Sequence, residues 1–163
     1  APYQPEEWHW VVKEAVKTFN ENHWIPAFTL IMGLDNDETP EDGWETIRLI
    51  NELEREQPDS MFTATPLTFI PIGLLEKSEF YDMGNDSDPT QLGVMYKTWQ
   101  HNFKYGIKKF MSKTGQRGSI RRAAFNGIAR TLGGVPLGAM ERFARRKGRE
   151  HERVLEKIKA QYW

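Results

Sequence analysis

The sequence predicts an α/β unit followed by an all-helical region, and three observations carry that reading. Two short apolar runs, 27–32 and 61–69, flank a well-capped amphipathic stretch over 40–56. Beyond residue 88 the apolar positions recur at helical spacing, with no further strand-like run. Charge is also segregated. Residues 1–103 carry 19 Asp and Glu against 6 Lys and Arg, a balance of −13, whereas residues 104–163 carry 4 against 16, a balance of +12. A net charge of −1 hides this asymmetry. Segregation on this scale places the two parts in different surroundings, docks them on each other, or offers the basic part to an anionic partner.

The elements follow in order. Pro5-Glu6-Glu7 reads as a helix start, with Pro in the first turn and carboxylates at its positive end. Trp8, Val12, Ala15, Val16 and Phe19 then share one helix face, and Pro26 lies beyond its end. Ala27 to Met32 is apolar without alternation, which fits a strand buried on both faces of a parallel sheet, and it stops at Gly33. Leu34 to Asp37 reads as a loop. Thr39-Pro40-Glu41-Asp42 is a hydroxyl cap, a Pro at the first position and acids in the first turn. Trp44, Ile47, Ile50 and Leu53 form the buried stripe of this helix, and Pro58 stops it after Glu56. The second strand runs from Met61 to Phe69, and Pro66 demotes its end to an edge or exit. Strand, helix and strand in this order form one right-handed βαβ unit.

Residues 76–88 read as a polar loop. Asp88-Pro89-Thr90-Gln91 is a cap, a Pro and a Gln at the third helical position. Leu92, Met95, Trp99, Phe103 and Phe110 extend this start into one long helix. Ser112 to Ser119 is a Gly- and Lys-rich break. A helix follows with Ile120, Ala124, Ile128 and Leu132 at fourfold spacing, and Gly133-Gly134-Val135-Pro136 ends it. A last helix carries Met140, Phe143, Val154, Leu155 and Ile158. The resulting divisions are 1–75, the βαβ unit with its preceding helix; 76–112, loop and long helix; and 113–163, a basic helical tail.

Composition bounds the chemistry. At 163 residues the chain can bury a sizeable core as one domain. No apolar run reaches the roughly 18 residues of a membrane-spanning helix, and the start does not read as a signal peptide. A cytoplasmic protein, peripheral where it meets a membrane, is therefore expected. There is no cysteine, which excludes disulfides, thiolate metal sites, iron–sulfur ligation by this chain and cysteine nucleophiles. No Walker loop, nucleophile elbow or zinc signature is present. Two parallel strands alone leave edges open and faces uncovered. Missing strands are thus expected, upstream of Ala1 or from a second copy, and the isolated chain is expected to self-associate.

The run Phe28-Thr29-Leu30-Ile31-Met32-Gly33-Leu34-Asp35-Asn36-Asp37-Glu38-Thr39 resembles the strand and Gly-Leu-Pro-Gly-Glu-Thr loop of radical S-adenosylmethionine enzymes. Pro40 to Ile50 is similar to the helix after that loop, and Thr65 to Gly73 resembles the next strand and its exit in the cobalamin-binding branch. The likeness covers about residues 5–110. It implies the final two β/α units of a partial (β/α) barrel of six strands, followed here by the basic helical region. It implies S-adenosylmethionine, a 4Fe–4S cluster and cobalamin in the full-length protein. In that family the reduced cluster cleaves S-adenosylmethionine to a 5′-deoxyadenosyl radical that takes hydrogen from substrate. The chain departs from the pattern: the three-cysteine motif is absent and would lie upstream, Asp-Asn-Asp replaces Pro-Gly, and Thr29 stands where one form of the motif has Gly. The resemblance assigns adenine contacts to Ile31, Gly33 and Leu34. No residue is assigned as catalytic acid, base or nucleophile, and the partner implied is the rest of the radical S-adenosylmethionine polypeptide.

Other polar clusters read as structural. Pro40 stands where a calcium loop needs Gly, so Asp35, Asp37, Glu38, Glu41 and Asp42 read as capping and solvated acids. Asp82, Asp86 and Asp88 read as loop and cap residues. His9, His23, His101 and His151 lack metal spacing and read as satisfied or exposed. Trp8, Trp10, Trp24, Trp44 and Trp99 read as core or interface. The basic residues from Lys104 to Arg153 read as a solvated face, or as a surface for an anionic membrane, with nucleic acid ranked behind it. The alternative to an enzyme portion is therefore a binding module that docks on an anionic surface through its tail.

Overall fold

The computed structural model describes residues 7–32, 39–68, 88–106, 109 and 119–161. Along the chain the elements are α1 (Trp8–Glu21), β1 (Ala27–Met32), α2 (Pro40–Glu56), β2 (Thr63–Thr68), α3 (Pro89–Gln100), a π-helical turn (His101–Gly106), α4 (Ser119–Lys147) and α5 (Arg149–Ala160). The protein is mixed α/β and mostly helical, with one two-stranded parallel sheet. The expected Pro5 start, the 33–38 loop, the exit after Thr68, the loop before Asp88, Phe110 and the break after Ser112 lie outside the described residues.

Helix starts follow their caps. The Thr39 backbone N–H and hydroxyl both donate to Asp42 Oδ2, at 2.7 and 2.8 Å. These bonds hold the Asp42 carboxyl below its ordinary range. At α3, Asp88 Oδ1 accepts from the Thr90 N–H at 2.6 Å, and Gln91 Oε1 accepts from the Asp88 N–H at 3.0 Å. This is a capping box, two orphan donors satisfied reciprocally.

The strands pair in parallel with Ala27 opposite Thr63 and Ile31 opposite Leu67. The Thr63 N–H donates to the Pro26 carbonyl at 3.0 Å. Parallel pairing then turns the backbone groups of the even residues of β1 toward β2, and those of Ala27, Thr29 and Ile31 toward the other side. On β2 the outward residues are Ala64 and Pro66, and Pro66 brings no N–H to that edge.

Burial corrects the reading of β1 as covered on both faces. Exposure alternates along β1, with Phe28, Leu30 and Met32 turned to the helices and Ala27, Thr29 and Ile31 exposed. On β2, Phe62 and Ala64 are buried while Thr63, Thr65 and Leu67 are exposed. Among the described residues, helices thus cover one face only. One core joins Val16, Ile50, Leu53 and Phe62 beneath α1 and α2. Another joins Met32, Ile47, Leu92, Val94, Tyr96, Leu137, Ala144, Leu155 and Ile158. α3 runs through the middle and is buried nearly all round, charged Lys97 included. A Cβ at Gly93 would sit 2.8 Å from Val154 Cγ1, so the glycine lets α5 approach α3 closely.

Two helix boundaries differ from expectation. The long helix after Asp88 is α-helical only to Gln100 and widens into the π-helical turn. The helix from Ser119 does not end at Gly133-Gly134-Val135-Pro136; it runs on to Lys147 with Pro136 inside it. Gly133 is a packing residue, since a Cβ there would lie 2.6 Å from Phe103 Cβ. The actual break is Gly148, at φ 123°. It divides the expected last helix into the end of α4 and all of α5.

The π-helical turn closes the outer edge of β2. Asn102 Oδ1 accepts from the Ala64 N–H at 3.1 Å, and Asn102 Nδ2 donates to the Ala64 carbonyl at 2.6 Å. One carboxamide therefore makes the pair of bonds that a further strand would make. Asn102→Ala should cost about 1–3 kcal/mol, two hydrogen bonds at about 1 kcal/mol each, and should promote self-association by opening the edge. Asn102→Asp should be destabilised too, because its carboxylate cannot donate to the Ala64 carbonyl. Thermal melts and sedimentation velocity check this; an Ala variant that melts with the wild type refutes the edge role.

Candidate functional site

Ligand sites of parallel α/β units form at the carboxyl ends of the strands, which here are Met32 and Thr68. The uncovered face carries Ala27 and Thr63, then Thr29 and Thr65, then Ile31 and Leu67 as register pairs. Ile31 is 55% exposed and Leu67 48% exposed, so the carboxyl end of this face is an accessible apolar step. Small hydroxyl residues lie behind it. The face supplies van der Waals contact and hydroxyl hydrogen bonds, and it presents no acid or base.

Of the three residues assigned to adenine, Ile31 stands on this face; Gly33 and Leu34 lie outside the described residues. An apolar side chain at the strand end suits packing against an aromatic base. The chain has no cysteine, so it offers no thiolate for an iron–sulfur cluster. Among the described residues no group of three or more His, Asp or Glu is placed to hold a metal ion.

Behind the strands lies a polar centre that sequence reasoning missed. Glu54 on α2 accepts from Lys97 Nζ at 2.7 Å and faces His101 Nδ1 at 2.9 Å. His101 Nε2 donates to the Phe62 carbonyl at 3.0 Å. The Lys97 and His101 side chains are 1% and 0% exposed, and Glu54 is 13% exposed. The His101 ring stacks on Phe62 at 3.9 Å and on Tyr105 at 5.3 Å between centroids. The Tyr105 hydroxyl donates to the Glu54 carbonyl at 3.1 Å, and burial pushes that phenol up to about 12.

Burial raises the Glu54 carboxyl, but the His101 hydrogen bond and the Lys97 charge outweigh it and hold the group below its ordinary range. Burial is the larger effect on Lys97 and lowers it, against the attraction of Glu54. Glu54 thus stays ionised at neutral pH. The centre holds α2, α3 and the π-helical turn together, and through Phe62 it holds the start of β2. A single buried His among many polar residues gave no periodic signal in the sequence.

The remaining singled-out residues are structural among what is described. His9 Nε2 lies 3.3 Å from Glu45, and Nδ1 lies 3.4 Å from Glu52, which also pairs with Lys13 at 2.5 Å. Glu41 pairs with Arg48 at 3.1 Å, and Asp42 and Asp88 cap helices. Trp8, Trp10 and Trp24 are exposed and so are not core residues of this chain; Trp44 and Trp99 are half-buried. Lys157 Nζ sits 4.0 Å over the Trp44 ring. No described helix is long and apolar enough to cross a membrane.

No family model matches the chain, and neither a curated protein nor a solved structure matches it.

The polar centre predicts a coupled response. Glu54→Leu alone strands a buried ammonium and should cost about 3–5 kcal/mol, while Glu54→Leu with Lys97→Met should cost clearly less than the two single changes summed. The Glu54 contribution is present above the ordinary carboxylate range and is lost as pH falls through the lowered folded value. Urea titrations of the four proteins at neutral and acid pH check both statements. Additive single and double costs would contradict the coupling.

Proposed function

We propose that this chain is the C-terminal portion of a radical S-adenosylmethionine enzyme, supplying the last two β/α units of its partial barrel. The observation that supports this most is the one-sided sheet: a parallel pair whose described helices lie on one face. In a barrel the helix-free face of each strand turns to the interior, where alternate side chains line the lumen. Thr29, Thr65, Ile31 and Leu67 would line that sector. α1 adds support. It packs through Val16 against α2 residues on the covered face and leads into β1. A helix in that position is the second half of a right-handed crossover from a strand beside β1.

Bound at the barrel mouth, S-adenosylmethionine and the cluster would supply the radical that activates a C–H bond. This chain's part would be binding: Ile31 packs on the adenine, Leu67 extends the apolar wall, and the threonines hold the polar floor. No acid or base of this chain acts in the reading. Cobalamin belongs to the resemblance, and no residue of this chain is assigned to it.

The test uses the full native polypeptide that contains this chain, purified without oxygen. The reading expects 4Fe–4S absorbance and release of 5′-deoxyadenosine from S-adenosylmethionine. Ile31→Asp should weaken S-adenosylmethionine binding by roughly tenfold, about 1.4 kcal/mol, at unchanged iron content. The 163-residue chain alone should take up no cluster. A full polypeptide without a cluster and without S-adenosylmethionine affinity would contradict the proposal.

A further inference from the structure

The ring of His101 is fully buried, and both of its nitrogens are engaged. Nδ1 lies 2.9 Å from Glu54 Oε1 on α2, and Nε2 lies 3.0 Å from the carbonyl oxygen of Phe62, the residue before β2. Both partners only accept hydrogen bonds: an ionised carboxylate has no proton to give, and neither has a peptide carbonyl. A neutral imidazole has one N–H and one lone pair, whereas the imidazolium ion donates from both nitrogens. With a single ring proton, one of these two contacts would set lone pair against lone pair away from solvent, where an unmade hydrogen bond costs most.

The surroundings favour the charged ring. Among the described residues, the titratable groups around it are Glu54 from α2, Lys97 from α3 and Tyr105 from its own π-helical turn; Lys109 sits over the Tyr105 ring at 5.0 Å, and Asp59 acts on Tyr105 through its charge. The Glu54 carboxylate divides its oxygens, Oε1 to His101 and Oε2 to Lys97. Phe62 and Tyr105 stack on the His101 ring at interplanar angles of 18° and 29°, and their π faces attract a cation. The Tyr105 phenol keeps its proton at neutral pH, because burial pushes it up to about 12. Lys97 is the opposing charge, and burial lowers it. A neutral amine still donates, so Lys97 can give up its charge and keep its bond to Glu54. His101 cannot: losing one ring proton loses one bond.

We propose that His101 is held as a histidinium ion in the folded chain and works as a pH-operated latch between α2 and the start of β2. With both ring protons in place, Glu54 and the Phe62 carbonyl are tied to one side chain. When the second proton leaves, one nitrogen must let go of its acceptor. Asn102, next in the turn, is then drawn from the outer edge of β2 that it closes at Ala64. The sign follows from counting protons. Above the ordinary imidazole range of about 6.5, the unfolded chain carries a neutral ring and the folded chain a charged one. Unfolding then releases a proton, so stability falls as pH rises. The latch is closed in neutral solution and opens in alkali. No residue of the strand ends takes part, so the latch stands whether or not the chain belongs to a radical S-adenosylmethionine enzyme.

The test is nitrogen–proton correlation NMR of the histidine rings in the 163-residue chain at neutral pH, with His101 identified by its contacts to the Phe62 and Tyr105 rings. Both His101 nitrogens should carry a proton. In Glu54→Gln the carboxamide can donate to Nδ1, so the ring should be neutral with its proton on Nε2 alone. Urea titrations at rising pH give the second readout. Above the imidazole range, the unfolding equilibrium constant of the wild type should rise by about tenfold per pH unit relative to that of Glu54→Gln. Protection of the Ala64 amide should fall over the same range. A neutral His101 ring in the wild type overturns the proposal, as does a ring that stays doubly protonated in Glu54→Gln. Parallel pH profiles of the two proteins overturn it too. The ring measurement on the wild type needs no variant, so it decides the matter if Glu54→Gln fails to melt cooperatively.

Discussion

Every backbone N–H and C=O in a strand needs a partner, and a two-stranded parallel sheet satisfies only the inward half of its own. How the outward groups of β2 are satisfied organises much of the molecule. Asn102 must reach Ala64 while its neighbour His101 reaches Phe62. Consecutive residues of an α-helix diverge by about 100°, so two of them do not readily serve one strand. The π-helical widening after Gln100 brings both to β2, and π-helical segments commonly occur at such special sites. Bringing His101 inside requires a polar partner, which is Glu54, and burying Glu54 in turn requires Lys97. The charged centre of the core is thus the consequence of closing one sheet edge with side chains.

This closure sets the two edges of the sheet apart. β2 is finished by a carboxamide and by Pro66, whereas β1 pairs among the described residues only with β2. The exposed face of the sheet carries Ala27, three threonines of the two strands and the apolar pair Ile31 and Leu67. The exposed Trp8, Trp10 and Phe19 of α1 and the neighbouring Trp24 and Ile25 lie near the same end of the chain. Large apolar residues exposed in such numbers mark contact surfaces in other proteins. The two edges therefore differ among the described residues: β2 is closed by Asn102, and β1 pairs with β2 alone.

Much of this was legible in the sequence. Thr39-Pro40 with Asp42, and Asp88-Pro89 with Gln91, announce helix starts through local chemistry, and the structure starts helices there. The strands were legible as short apolar runs, and Pro66 as an edge residue. The burial of those strands was not, because an apolar run looks the same whether one face or two are covered, and Ile31 proved exposed. Gly133-Gly134-Val135-Pro136 reads as punctuation, but Gly133 is there to admit Phe103 and the helix continues. The Glu54, Lys97 and His101 centre joins residues 43 and 47 positions apart, and no local pattern links them. For the candidate site, Ile31 was reachable by family resemblance, while its partner Leu67 emerges only from the strand register.

Among the described residues the outer edge of β2 is closed by Asn102 and the outer edge of β1 is open. Amide hydrogen exchange of the chain reads both edges at once. Slow exchange is predicted at Ala64, whose N–H is held by Asn102, and at Phe28 and Leu30, which face β2. Fast exchange is predicted at Thr29 and Ile31, whose groups face the open side. Thr29 and Ile31 amides as protected as that of Leu30 would contradict it, since they would then have partners within this chain or a second copy of it.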